Sequence, residues 1–429
     1  MKICIIGGGS SYTPELIEGF IHIQQDVRID EIAMLDIPAS AGKFQIVTDL
    51  AQRMLKKTGS DIQLAATLTP QEAIEGADFI IHQFRPGRLE GRITDEKIPL
   101  NYNLIGQETT GMGGMACGLR AFSLIEQYVE MAKTWSNNAW IINFTNPSGM
   151  LTEFIRNYLH YERTIGLCNV PINFLVELQK MFVCQRKDIF LKYYGLNHLS
   201  WIEQIQVNGV DRSDELWQGF QMNMKNIPDT EYEPEFIAML KLLPNPYLRY
   251  YYQTDQMLES EIGDLNSKGT RGEVVSQVEQ ELFKLYADPE LDKKPPQLEQ
   301  RGGFMYSTVA TELIRDLITD ARSIHIINTR NEGAIEDFPN DYVMEIPAKI
   351  TRQGPETMQL GQSHQAVTGL ISTIKNFERL TIEAYTQTDE NRVRQAMLIH
   401  PLGPSASQSE ALWQDLKQAN DNFGRFAPQ

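Results

Sequence analysis

Residues able to do chemistry gather at a few places in this 429-residue chain. The opening run Ile3-Cys4-Ile5-Ile6-Gly7-Gly8-Gly9-Ser10-Ser11-Tyr12-Thr13-Pro14 reads as a strand, a glycine turn and a helix start. Gly7 and Gly9 match the first two glycines of G-x-G-x-x-G, where backbone closes on a pyrophosphate whose charge the helix N-terminus favours. Tyr12 stands where the third glycine would be. Thr13 suits the helix cap and Pro14 the first helical position. Gly8, Ser10 and Ser11 complete the candidate loop. Asp36, ending the second predicted strand, is the acid that would accept hydrogen bonds from the adenosine ribose hydroxyls and disfavour a 2′-phosphate, so the pattern favours NAD over NADP.

Further candidates follow later strand ends, where ligands sit in open α/β sheets. Gln83-Phe84-Arg85-Pro86-Gly87-Arg88 offers Arg85 as an anion clamp, since a guanidinium fork matches phosphate. Asn143-Phe144-Thr145-Asn146-Pro147-Ser148-Gly149 follows the next strand. Between them, Gly106 to Gly114 packs four glycines into nine residues, as expected where backbone passes close to a ligand, and there Glu108 could orient a metal-bound water or a substrate hydroxyl. Cys168 and His198 place a thiol and an imidazole at two more strand ends. Thirty residues apart, they form no metal signature by spacing; either fits a packed core or a plain turn equally well.

The elements that must hold these residues alternate through the first half. Strands are expected at Lys2–Ile6, Glu31–Asp36, Ala77–Gln83, Ala139–Phe144 and Arg163–Leu167. Helices are expected at Pro14–Gln24, Ala39–Lys57, Pro70–Glu75 and Leu119–Trp135, from apolar positions three and four apart. Alternating βαβ units imply a doubly wound, parallel Rossmann-like sheet. Beyond residue 185 the pattern becomes α+β: strands at Ile189–Tyr194 and Ser200–Val207, an acidic helix-prone stretch to about 286, and a breaker-rich loop from Asp288 to the Gly302-Gly303 pair. Two more strands, His325–Asn328 and Tyr342–Ile346, precede a helix from His364 to about Tyr385 and a last helical stretch. The division expected is a cofactor-binding domain over 1–167 and a catalytic, substrate and oligomerisation domain over 168–429.

Composition narrows the class. A 42% hydrophobic and 22% charged chain is globular, and a net charge of −17 makes nucleic acid and anionic membrane poor partners. No run of 18 apolar residues occurs, and the apolar start is too short for a signal-peptide core, so a cytoplasmic protein is expected. Cys4, Cys117, Cys168 and Cys184 have no C-x-x-C spacing, which argues against a disulfide framework and leaves a thiolate ligand or nucleophile open.

The order of motifs then adds a resemblance. Gly-Gly-Gly-Ser, Gln-Phe-Arg-Pro-Gly, Gly-Gln-Glu-Thr-Thr-Gly, Asn-Phe-Thr-Asn-Pro-Ser-Gly, Gly-Leu-Cys-Asn-Val-Pro, Gly-Leu-Asn-His-Leu-Ser, Pro-Tyr-Leu-Arg-Tyr-Tyr and His400-Pro401-Leu402-Gly403-Pro404 together resemble the family-4 glycoside hydrolases, in particular their 6-phospho-β-glucosidases, from Met1 to at least Pro404. That family departs from two-carboxylate glycosidases in depending on NAD. The resemblance implies a lactate/malate dehydrogenase-like fold and a redox elimination. Hydride leaves C3 of the sugar for the nicotinamide, a base takes the acidified C2 proton, the C1–O bond breaks, water adds, and the hydride returns.

Residue by residue, the resemblance implies Cys168 and His198 as ligands of a divalent ion, usually Mn(II), and Tyr247 as the C2 base. Tyr250, Tyr251 and Tyr252 are assigned to helix packing. Asn146 would meet both nicotinamide and sugar, Asn169 a sugar hydroxyl, and Arg85 and Arg271 the 6-phosphate. Asn169 replaces the Asp that serves α-linked relatives as leaving-group acid, in keeping with β-linked substrates. The partners implied are a phosphorylated sugar and further copies of the chain, as a homodimer or homotetramer. Two other readings compete: a 2-hydroxyacid dehydrogenase of the lactate/malate type, suggested by Asn143 to Pro147 and Asn197-His198, and a non-catalytic NAD- or sugar-phosphate-binding regulator. The first would produce NADH stoichiometrically. The second would need neither the Cys–His pair nor Tyr247.

Overall fold

The structure is a computed structural model, and it describes residues 1–218, 220–222, 224, 227–228, 231–301, 305–420 and 423–426. The expected Gly302-Gly303 pair lies outside the described residues. Its strands are β1 (Lys2–Ile6), β2 (Glu31–Leu35), β3 (Gln63–Thr67), β4 (Phe79–His82), β5 (Trp140–Asn143), β6 (Thr164–Gly166), β7 (Ile189–Leu196), β8 (Leu199–Val207), β9 (Val210–Asp211), β10 (Leu243–Pro244), β11 (Ile324–Arg330), β12 (Val343–Thr351) and β13 (Gly354–Thr357).

Six strands run parallel in the order β3-β2-β1-β4-β5-β6, the doubly wound arrangement whose strand order reverses between β1 and β4. The apolar runs explain it: β1 and β4 are buried almost throughout, as strands covered on both faces must be. The same sheet continues through antiparallel β11, β12 and β13, so nine strands span both halves of the chain. A second sheet holds β10-β8-β7 with β9 at its side.

Several elements differ from the sequence pattern for identifiable physical reasons. Strand β3 gives no signal in the pattern because Gln63–Thr67 lacks an apolar face and lies half-exposed at the sheet edge. The helix Arg88–Asn101 gives none either; its buried face carries Arg92, Asp95 and Glu96, which reads as solvent-facing by composition. The helix expected from Leu119 begins at Gly111, so the last glycines of the glycine-dense run belong to its first turns. A Cβ on Gly113 would come within 2.3 Å of the Gln107 carbonyl oxygen, and one on Gly114 within 2.5 Å of the Thr109 carbonyl carbon. These glycines therefore serve close packing of the preceding loop rather than a mobile segment. The loop expected from Asp288 contains a 3-10 turn at Pro296–Arg301. Among the described residues no helix is long and apolar enough to cross a membrane.

Candidate active site

A cavity of about 850 Å³ opens at the carboxyl ends of β1, β2, β4, β5 and β6 and is closed from the other side by the β7–β8 hairpin. At one end lies the glycine turn. The Gly7 and Gly8 N–H groups both donate to the Leu35 carbonyl at 2.9 Å, tying the turn to β2, and the Gly9 N–H donates to Asp36 Oδ2 at 2.7 Å. Gly7 has φ +89°, and a Cβ there would lie 2.9 Å from Phe84 Cα; on Gly9 it would lie 2.7 Å from the Asp36 carboxylate. Side chains are thus excluded where a dinucleotide backbone would approach, and Gly7, Gly9, Ser10, Asp36 and Asn146 all face the cavity. These residues fit NAD. Gly8 and Ser11 stand behind the turn, and the buried Ser11 hydroxyl donates to Glu279 at 3.0 Å. Thr13 is not the cap: Tyr12 holds that position, and the Thr13 hydroxyl donates back to the Gly8 carbonyl at 2.8 Å, bracing the turn, while the helix keeps its early proline.

At the other end, Cys168, Asn169, His198 and Tyr247 meet. Cys168 follows β6 and precedes the helix Val170–Phe182, whose first backbone N–H groups, those of Asn169 and Val170, point at its sulfur. Burial nevertheless pushes the thiol well above its usual range, so a cation is needed to draw out the thiolate. His198 closes the tight turn between β7 and β8 with φ +64°, a left-handed conformation that costs a non-glycine residue about 1–3 kcal/mol. Burial keeps its ring neutral, down to about 3, and Nδ1 is engaged by the Thr109 hydroxyl at 2.8 Å, which leaves Nε2 for an ion. No group of three or more His, Cys, Asp or Glu side chains forms a closed metal cage among the described residues. A soft sulfur and one imidazole on a shared cavity wall fit a transition-metal ion whose other positions face the substrate.

Tyr247 sits in a 3-10 turn, Pro246–Leu248, capped by Asn245, whose side chain accepts the Tyr247 N–H at 3.0 Å. Its ring stacks on the His198 imidazole with centroids 3.7 Å apart and planes 3° from parallel. Of the four neighbouring tyrosines, Tyr247 alone lines the cavity. Tyr250 and Tyr251 are packed, and the Tyr252 hydroxyl accepts from the Trp201 indole at 3.2 Å.

Along the side wall, Glu108 lies buried between Arg85 and Arg92. It pairs with Arg85 through Oε2 and with Arg92 through Oε1 at 2.8 Å. Burial works against its charge, yet the two guanidinium groups prevail and hold the carboxyl down to about 2. Each oxygen of Glu108 is thus engaged by one arginine of the cavity wall. Arg301 is a further cation of the cavity wall, paired with Glu279 at 3.2 Å and lying over the Tyr12 ring. Arg271 opens the helix Arg271–Tyr286 outside the cavity lining, and burial together with the charge of neighbouring Arg92 lowers its pKa. Arg92, Thr109 and Arg301 do not stand out in the sequence. The i,i+4 pair Arg92–Glu96 is the available signal for the first.

Comparisons with known proteins agree with this geometry. Residues 2–184 match the model of the family 4 glycosyl hydrolases, and residues 193–403 match that of the family 4 glycosyl hydrolase C-terminal domain. The 6-phospho-beta-glucosidase BglT of Thermotoga maritima is 45% identical over 99% of both chains. The structure of the Thermotoga maritima 6-phospho-beta glucosidase with manganese, NAD+ and glucose-6-phosphate superposes with a TM-score of 0.92 over 99% of both chains, at 45% identity. A malate dehydrogenase from Cryptosporidium parvum, 14% identical with a TM-score of 0.50 over 90% of this chain and 99% of its own, shares the fold alone. A Rossmann-like sheet carrying a glycine turn, a Cys–His pair and a stacked tyrosine in one cavity thus accompanies family matches to nearly the whole sequence, and the chain belongs to the family 4 glycosyl hydrolases.

Proposed function

We propose that this chain is an NAD- and Mn(II)-dependent 6-phospho-β-glucosidase that hydrolyses β-linked 6-phosphoglucosides such as cellobiose 6-phosphate. The observation that carries the reading is the convergence of Cys168, His198 and Tyr247 on the wall of a cavity whose far end is the glycine turn. When bound, NAD accepts and returns the C3 hydride and the divalent ion polarises the C3 oxygen. Gly7, Gly9, Ser10 and Asp36 hold the dinucleotide, with Gly8 and Ser11 shaping the turn from behind. Cys168 and His198 hold the ion. Tyr247 takes the C2 proton as general base; an ordinary phenol near pKa 10 is too weak for this at neutral pH, so its phenolate must be favoured by the nearby cation. Asn146 and Asn169 orient sugar hydroxyls. Arg85, with Arg92 beside it, receives the 6-phosphate, and Arg271 is its second contact. Asn169 cannot donate a proton as an acid would, which supports β- over α-linked substrates.

A phosphorylated substrate and a thiol that must stay reduced support a cytoplasmic setting. The family resemblance supports a homodimer or homotetramer, for which the exposed Val183 and Met239 offer apolar surface. The dehydrogenase reading is not favoured, because the likeness to malate dehydrogenase extends only to the fold. The deciding experiment is hydrolysis of matched α- and β-linked nitrophenyl 6-phosphoglucosides with NAD and Mn(II) withheld in turn. Cleavage of the β-anomer alone, lost when either is withheld and with no net NADH, is expected. Undiminished cleavage by protein stripped of dinucleotide would overturn the reading.

A further inference from the structure

Glu345 is an unusual residue for its place. It is the third residue of β12, on an antiparallel strand buried on both faces, and is itself fully buried. Four neutral groups surround its carboxylate: the Tyr193 hydroxyl at 2.6 Å, the Asn197 amide at 3.0 Å, the Ser200 hydroxyl at 3.3 Å and the Asn328 amide at 3.4 Å. The carboxylate only accepts, and because the Tyr193 and Ser200 hydroxyls also lie 2.6 Å apart, Ser200 shares its single proton between Tyr193 and Glu345. A buried charge held by neutral donors alone is costly unless a cation lies within reach.

Two branches of this network end at the active site. In the first, Asn197 precedes His198 in the β7–β8 turn, and its side-chain amide, which donates to Glu345, lies near enough to the Cys168 thiol to favour the thiolate, so one amide links Glu345 to both metal-binding positions. In the second, the Ser200 hydroxyl accepts from the Asn245 amide at 3.0 Å, and Asn245 Oδ1 accepts the N–H of Tyr247 at 3.0 Å. Gly149 lets the turn pack closely, since a Cβ there would lie 2.9 Å from Asn197 Cβ.

We propose that Glu345 is the positioning residue of this centre, fixing the ion-binding pair through Asn197 and the base through Ser200 and Asn245. It touches no reacting atom. The two branches leave Glu345 through different side chains, so each can be cut by its own substitution. The inference rests on the reading of Cys168 and His198 as ion ligands.

The test uses NAD-loaded, metal-stripped full-length protein titrated with Mn(II), reading free ion by its electron paramagnetic resonance signal. Alongside it, exchange of the C2 hydrogen of glucose 6-phosphate with deuterated solvent is followed at saturating Mn(II), so that weakened ion binding does not itself slow it. Glu345→Gln is expected to weaken Mn(II) binding by about tenfold or more and to slow exchange, with NAD affinity unchanged. Asn197→Ala should weaken Mn(II) binding. Ser200→Ala should slow exchange while Mn(II) affinity stays at the wild-type value, and these two variants carry the test if Glu345→Gln does not fold. Wild-type Mn(II) affinity and exchange in Glu345→Gln, or equal loss of both properties in Asn197→Ala and Ser200→Ala, would overturn the proposal. Cys168→Ser separates the two levels: if it binds Mn(II) as the wild type does, the ligand assignment itself falls and the role of Glu345 falls with it.

Discussion

Tyr247 shows how much one side chain depends on its neighbours. Its ring lies flat on His198, and its backbone is pinned by Asn245, so the phenol has little freedom to reach anything but the cavity. Removing only the hydroxyl should leave that packing intact. Tyr247→Phe is therefore expected to bind NAD and Mn(II) normally while losing solvent-deuterium incorporation at C2 of the sugar and, with it, turnover by at least about a hundredfold, the usual contribution of a general base. Exchange at the wild-type rate would place the base elsewhere. From the sequence, nothing in the residues separates Tyr247 from the three tyrosines that follow; the family resemblance does so, and the structure agrees in placing it alone on the cavity wall.

The glycine turn belongs to the scale of the element. Its shape is set by two backbone bonds to β2 and by Asp36 receiving the Gly9 N–H, an arrangement that leaves no volume for a side chain. Gly9→Ala would bring a methyl to 2.7 Å from the Asp36 carboxylate and 3.1 Å from Phe44 Cα. Part of the turn must shift to admit it. We expect NAD affinity to fall by about tenfold or more, equivalent to roughly 1.4 kcal/mol, with thermal stability of the cofactor-free protein changed far less. Fluorescence titration with NADH checks this, and unchanged affinity would mean the turn does not contact the dinucleotide. The motif is legible because glycines between a strand and a helix meet a specific backbone need, a tight turn that a Cβ would obstruct. The role of Thr13 is not: whether a hydroxyl caps the helix or turns back to Gly8 depends on loop geometry that composition does not encode.

At the scale of the molecule, the fold must keep uncharged groups buried outside the cavity lining, and His400 is one. Its ring is packed against the edge of Phe377, with Nδ1 accepting the Leu402 N–H at 3.0 Å, and burial holds it neutral down to about 3. The unfolded chain takes up a proton there near pH 6.5, whereas the folded chain refuses it until about 3. The unfolded state thus binds more protons in this window, and stability contributed by this site falls as the pH falls below about 6.5. His400→Gln removes that dependence. Urea denaturation at pH 7.5 and 5.5 should show the wild type losing stability relative to the variant on acidification, by up to about 1.4 kcal/mol per pH unit. A constant difference between the two proteins would show that His400 takes up its proton as readily in the folded chain as in the unfolded one.

Local pattern carried the parallel sheet, the glycine turn and most helices of the first half, because apolar periodicity and breakers are written in neighbouring residues. Pattern could not reveal what depends on residues far apart in the chain. The antiparallel extension of the sheet, the pairing of Glu108 with two arginines, and the tie from Glu345 to the hairpin turn all join segments tens to hundreds of positions apart. Glu345 did leave one trace, an acid within the apolar run Val343-Met344-Glu345-Ile346. Only packing decided which distant donors would surround it, since a buried carboxylate takes its partners from whatever the folded chain brings within hydrogen-bond reach.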